Sequence, residues 1–287
     1  MIPAGFDYHR PRTLDEAIKL LATHDEGARV VAGGHSLIPM MKLRLAAPEH
    51  LVDLQDLAEL RQIRSEGQAL VVGAMTTQQE LIASDLLAAQ CPILRETALQ
   101  IADPQVRALG TVGGNVANGD PGNDMPAVML ALDARFRVKG AKGERELPAR
   151  GFYRSSFETA LAPGEILTAI AIPTPADGHG YAYVKQKRKV GDYATAAAAV
   201  ILTLSRGNCT AAAIALTNVA PTPIFADAAG QALVGTRLDG TAIDNAVRQA
   251  AALARPAADQ RGPADFRTHL AGIMVGRAIQ RAKERAA

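Results

Sequence analysis

The sequence predicts an α+β protein built as two domains. Three observations carry that expectation. Capped, amphipathic helical stretches interleave with short apolar strands over about the first 170 residues. The run Pro173-Thr174-Pro175-Ala176-Asp177-Gly178-His179-Gly180 then has the composition of a linker or long turn. Beyond it strands come first and helices last, which separates the two kinds of element along the chain. With 287 residues and roughly 150 per domain, each half is large enough for its own core. The boundary is placed near residue 177, giving 1–177 and 178–287.

Thr13-Leu14-Asp15-Glu16 reads as a capping box, with Thr13 accepting from a first-turn N–H and Glu16 reaching back. The helix that follows keeps Leu14, Ala17, Ile18 and Leu21 on one face. Arg29–Ala32 is a short strand running into Gly33-Gly34, and Leu51–Leu54 and Leu70–Gly73 read as further strands. A second box, Thr77-Gln78-Gln79-Glu80, opens another helix, and Pro92 falls in the first turn of the next. Asp124 to Leu132 is helical. Glu165–Ile172 is a strand whose Ile166, Thr168, Ile170 and Ile172 share one face, with Leu167, Ala169 and Ala171 on the other. After the linker come strands at Tyr181–Gln186, Ala196–Leu204 and Thr210–Leu216, then a last helix from about Asp265 to Ala286.

Composition narrows the function. Hydrophobic residues at 48% against 21% charged exclude a disordered chain. A net charge of +2 argues against a nucleic-acid surface, which needs a basic domain or stripe. Cys91 and Cys209 are too few for an iron–sulfur cluster or a structural zinc, and both are expected to be buried free thiols. The first eight residues hold no apolar signal core, and the apolar run between Asp192 and Arg206 is shorter than the ~20 residues a bilayer requires. A reducing, cytosolic setting is expected.

Two segments carry candidate chemistry: Ala32-Gly33-Gly34-His35-Ser36 and Thr111-Val112-Gly113-Gly114-Asn115. Glycines where a strand or turn hands over to a loop let a ligand approach peptide N–H groups, the basis of an anion cradle. Each segment adds a hydroxyl that can donate to phosphate. Two such bends, eighty residues apart, can hold the two phosphates of one dinucleotide, although a single Gly-Gly is more often an ordinary tight turn. Neither G-x-G-x-x-G nor the P-loop pattern is present, so a Rossmann or P-loop domain is not expected. Gly34-His35-Ser36-Leu37-Ile38 lacks the closing glycine of a nucleophile elbow, and no H-E-x-x-H pair exists for zinc.

Residues 32–42 (AGGHSLIPMMK), 111–127 (TVGGNVANGDPGNDMPA) and 187–196 (KRKVGDYATA) resemble the FAD-binding medium subunit of the molybdenum hydroxylase, xanthine oxidase-like family, most of all its carbon monoxide-oxidising branch. The resemblance covers essentially the whole chain. It implies a two-part FAD-binding domain of the vanillyl-alcohol-oxidase/PCMH type, split at about 1–55 and 56–177, followed by a C-terminal α/β domain of a sheet with packed helices.

It also implies roles. Ala32, Gly33, Gly34, His35, Ser36 and Leu37, with Thr111, Val112, Gly113, Gly114 and Asn115, would hold the FAD diphosphate. Asp124 would accept from the nucleotide half, Ile101 and Leu167 would border the cofactor, and Lys185 would lie near the flavin ring, where a cation favours the reduced form. Tyr193 would stack on the ring. The alternative for the run Lys185-Gln186-Lys187-Arg188-Lys189 is a solvated basic edge, above all for Lys187 and Lys189, and the alternative for Tyr193 is an ordinary half-buried tyrosine.

The family context implies a dimer of heterotrimers. A large subunit would carry a molybdenum-cytosine-dinucleotide-type molybdopterin with copper, and a small subunit two [2Fe–2S] clusters. FAD on this chain would collect single electrons and release pairs to a quinone-type acceptor, without a catalytic protein acid or base. At most a peripheral attachment to the inner face of the cytoplasmic membrane is expected. Sister complexes act on purines, N-heterocycles or aromatic thioesters, and a self-sufficient flavin oxidoreductase or an assembly module without cofactor are the other readings.

Overall fold

The computed structural model describes residues 2–286. Three strands, Asp7–His9, His50–Asp53 and Ala28–Val31, form a parallel sheet with His50–Asp53 in the centre. The helix Leu14–His24 covers one face, burying Leu14, Ala17, Ile18 and Leu21 as its periodicity requires. Thr13 caps it by accepting from Glu16 N–H, but Glu16 Oε2 takes the N–H of Arg12, at 2.8 Å, and the box is only half closed. At Thr77 the box is complete, and it opens the helix Gln78–Ala83.

A five-stranded antiparallel sheet follows, in the order Ile63–Glu66, Ala69–Gly73, Ile166–Pro173, Arg135–Gly140, Gly143–Pro148. Its central strand corrects the predicted alternation. The register against Arg135–Gly140 slips between Leu167 and Ala169, so Thr168 is an inserted residue. A bulge of this kind changes the face of everything before it. Leu167 therefore joins Ile170 and Ile172 in the main core, whereas Ile166 packs with the first helix and its sheet.

The C-terminal sheet, Gly180–Gln186, Ala196–Ser205, Asn208–Thr217 and Ile224–Phe225, is antiparallel. The helix Ala264–Arg285 packs on one side of it, with the helix Gly240–Ala251 against that helix in the same core. The other side is buried too. Tyr183, Ala197, Ala199 and Ala215 lie in the core of the preceding sheet and helices, while Ala196, Ala198, Val200 and Leu202 face the terminal helices. Small side chains on a two-sided strand let a helical layer and a second body approach it closely. Cys91 and Cys209 are buried free thiols, and burial pushes the Cys91 thiol up to about 12. Among the described residues no helix is long and apolar enough to cross a membrane.

Candidate functional site

The strand Ala28–Val31 ends at the first glycine bend, and the helix Val112–Ala117 begins at the second. Their backbones meet. A Cβ built on Gly33 would lie 2.3 Å from Leu109 O, and one on Gly114 would lie 3.7 Å from Ala32 Cβ. Between them opens a cavity of about 560 Å³. Ala32, Gly33, Gly34, His35, Ser36, Leu37, Ile101, Thr111, Gly114, Asn115, Asp124, Lys185 and Tyr193 all line it. Val112, Gly113 and Leu167 do not: Val112 and Leu167 are buried in the core, and Gly113 is packed on Ala74.

The two bends differ in what they offer. Among the described residues, the N–H groups of Gly33, Gly34, His35 and Ser36 have no protein acceptor, and Gly34 has φ +72°, a conformation glycine adopts freely. In the second segment the N–H groups of residues 112–115 are all engaged. Val112 N–H donates to Thr76 O and Gly113 N–H to Ala74 O, both at 2.9 Å. Gly114 N–H donates to Thr111 Oγ1 and Asn115 N–H to Thr111 O, both at 3.0 Å. A cradle of N–H donors is thus supplied by the first bend, while the second frames it. Gly33 and Gly113 are both closely packed, a Cβ on Gly113 coming 2.5 Å from Ala74 Cβ, and Gly33, Gly34 and Gly114 line the cavity.

Below this wall lies a buried charged pair. Lys185 Nζ donates to Asp124 Oδ2 at 2.8 Å and Tyr183 Oη donates to Asp124 Oδ1 at 2.5 Å. The Lys185 side chain is 1% exposed and that of Asp124 6%, so the solvated-edge alternative fails for Lys185. Burial raises the Asp124 carboxyl above its usual range, against the opposing pull of Lys185. The Tyr193 ring rests against Gly122, whose Cβ would come 2.8 Å from Cδ1, with the Arg261 guanidinium 5.8 Å from its centre. Burial and the nearby carboxylates of Asp120 and Asp124 push its hydroxyl up to about 12, so it presents a neutral phenol.

Sequence reasoning missed Gln78, Asn118, Asn123, Leu161 and Asp192, which also line the cavity. Gln78 stands out because it is 1% exposed and neither amide atom has a partner among the described residues. Its place in a capping box hid it, because a first-turn glutamine is ordinary there. A buried orphan amide costs about 1–3 kcal/mol, a cost removed when a polar ligand meets it. Open backbone donors, a buried cation, an aromatic ring and an orphan amide gathered around one cavity fit an anionic, ring-bearing group such as FAD. Gln78→Met should separate two effects: the cofactor-free protein melts at a higher temperature, while FAD binds roughly tenfold more weakly, the worth of one hydrogen bond of about 1.4 kcal/mol. Melting curves and FAD titration measure both, and unchanged FAD affinity would leave Gln78 as wall alone.

Residues 4–175 match the FAD-binding domain in molybdopterin dehydrogenase, and residues 181–282 match the CO dehydrogenase flavoprotein C-terminal domain. The chain belongs to the molybdopterin-dehydrogenase flavoproteins. Within this flavoprotein family it is 60% identical to the carbon monoxide dehydrogenase medium chain of Afipia carboxidovorans, over all of this chain and 99% of that one. Against the medium chain from Hydrogenophaga pseudoflava the identity is 46%, with both chains fully covered. A solved structure of reconstituted CO dehydrogenase from Oligotropha carboxidovorans superposes with a TM-score of 0.99 at 60% identity over the full length of both chains. More distant members include the quinoline 2-oxidoreductase of Pseudomonas putida 86, at 35% identity and a TM-score of 0.94 over 99% of each chain. The resemblance read from the glycine segments is borne out, and with it the α+β class, FAD as the cofactor and an oxidoreductase of several subunits.

Proposed function

We propose that this chain is the electron exit of a carbon monoxide-oxidising complex. On this reading it holds FAD between a molybdenum subunit and an iron–sulfur subunit in a dimer of heterotrimers, and delivers electrons to a quinone-type acceptor. Bound FAD supplies the exchange between one-electron donors and a two-electron acceptor. The observation that carries the reading is the cavity onto which both glycine bends converge, in a chain 60% identical to a carbon monoxide dehydrogenase medium chain. The open N–H groups of 33–36 would take the diphosphate, and Gly114 and Asn115 would close the opposite wall. Lys185 would place positive charge beside the flavin ring, and Tyr193 would cover one of its faces. We also place the division between the FAD-binding and C-terminal units near residue 177.

The test uses the assembled complex. Carbon monoxide should bleach its flavin absorption, and a soluble quinone analogue should restore it. Bleaching by a purine or N-heterocycle instead would assign the chain to a sister complex. Substrate-dependent bleaching of this chain without partners would favour a self-sufficient enzyme. In Tyr193→Ala, substrate oxidation at the molybdenum subunit should persist while quinone reduction slows. FAD should bind about 2- to 10-fold more weakly, the value of one aromatic stack at ~0.5–1.5 kcal/mol. Unaltered quinone turnover and FAD affinity would remove Tyr193 from the site.

A further inference from the structure

Three histidines meet on the face of the parallel sheet that the first helix covers. His9 closes the strand Asp7–His9, His24 is the last residue of the helix Leu14–His24, and His50 opens the strand His50–Asp53. The register explains the meeting. Asp7 pairs with His50, so the period of two puts Asp7 and His9 on the face that His50 shares. That face carries Val52 into the core beneath the first helix, and the helix ends above it.

We propose that His9, His24 and His50 bind a late first-row divalent cation, with zinc as the ion named for test. One ring nitrogen from each histidine lies within 4.8 Å of the other two, and all three residues are half-buried. His9 Nε2 is 3.2 Å from His50 Nδ1, and Asp7 Oδ2 is 3.5 Å from the same Nδ1. Ligands about 2.0–2.1 Å from a tetrahedral zinc stand roughly 3.3–3.4 Å from one another, so these separations are already those of coordination edges. The third ligand needs a small movement: the His24 ring is stacked on His50 with centroids 3.7 Å apart, and no hydrogen bond among the described residues holds it. Its swing from the stack toward His9, 5.2 Å away by centroid, completes the set, with Asp7 neutralising charge at the rim.

A hydrogen-bonded histidine pair with a third ring resting on it is the competing account. It satisfies one nitrogen on each of two rings and gives the His24 side chain no polar partner. Imidazole donors suit zinc, copper and nickel and do not suit magnesium or calcium. His50 pairs with Ala28, and none of the three histidines is among the residues that line the flavin cavity, which on this strand are Arg29, Val30 and Val31. The ion would tie the end of the first helix to the sheet edge, without touching the cofactor.

The assembled complex, stripped with a chelator that leaves its flavin content unchanged, is to be titrated with zinc alone. The native protein should take up one zinc per copy of this chain more than His50→Gln, a substitution that keeps a hydrogen-bonding group beside His9. His24→Ala should bind at least tenfold more weakly. Crystals of the zinc-loaded complex should show an anomalous peak between the three rings at the zinc edge, and magnesium should compete with neither. Equal zinc uptake by the native protein and His50→Gln, or no anomalous peak at the three rings, overturns the proposal.

Discussion

Gly33→Ala is expected to weaken FAD binding by about 5- to 150-fold, the equivalent of the 1–3 kcal/mol that overpacking costs. The new methyl would stand 2.3 Å from Leu109 O and 2.7 Å from Gly110 Cα. Neither is the end of a flexible side chain, so one backbone segment must move away from the other, and the cavity lies between them. Gly113→Ala should do comparable damage although Gly113 does not line the cavity, because its methyl would meet Ala74. Gly5→Ala, where nothing lies within 4 Å, is the control. Flavin absorbance per chain in purified complexes, followed by FAD titration, measures the effect. Normal FAD affinity in Gly33→Ala would mean that the two bends do not close on one cofactor.

Lys185→Met is expected to destabilise the chain by about 3–5 kcal/mol, the loss typical when one member of a buried ion pair is removed. Asp124 then keeps Tyr183 but loses its cation. Its carboxyl, already raised by burial, rises further and takes up a proton. The sign of the pH dependence follows. A carboxyl with a folded pKa above its unfolded value near 3.9 contributes most below that value, and the contribution is lost as pH rises through the folded pKa. The variant should therefore lose melting temperature relative to the native protein as pH is raised from about 4 toward neutrality. Lys185→Met/Asp124→Leu should recover most of the stability, because an apolar pair often replaces a buried ion pair without loss. On the proposed placement of Lys185 beside the flavin ring, it should not recover the flavin potential, which would fall in both variants. A single variant as stable as the native protein from pH 4 to 8 would contradict the burial of this pair.

Local chemistry made much of this molecule legible. The helix after Thr13, the complete box at Thr77, Pro92 in a first turn and the three long C-terminal strands all follow from caps, proline geometry and apolar period, which act over a few residues. The first glycine bend was readable for the same reason, since a strand running into Gly-Gly carries its exposed N–H groups with it. The face of Leu167 was not readable. A bulge at Thr168 depends on how Arg135–Gly140 pairs with the strand, and nothing within Glu165–Ile172 encodes that partner. Gln78 was likewise hidden, because its orphan amide is defined by groups that fail to reach it.

By itself the sequence determined the class of fold, the positions of both glycine bends, the buried thiols and the likeness to a flavoprotein family. These rest on composition and on contacts between near neighbours. Only the tertiary structure decided that the second bend frames the cavity while the first supplies its open donors. It alone joined Asp124 to Lys185 and brought three histidines to one sheet edge. The physical reason is distance along the chain: Gly33 against Leu109, Asp124 against Lys185 and His9 against His50 are separated by some 40 to 80 residues. Their energies come from close packing and burial that exist only once the sheets have assembled.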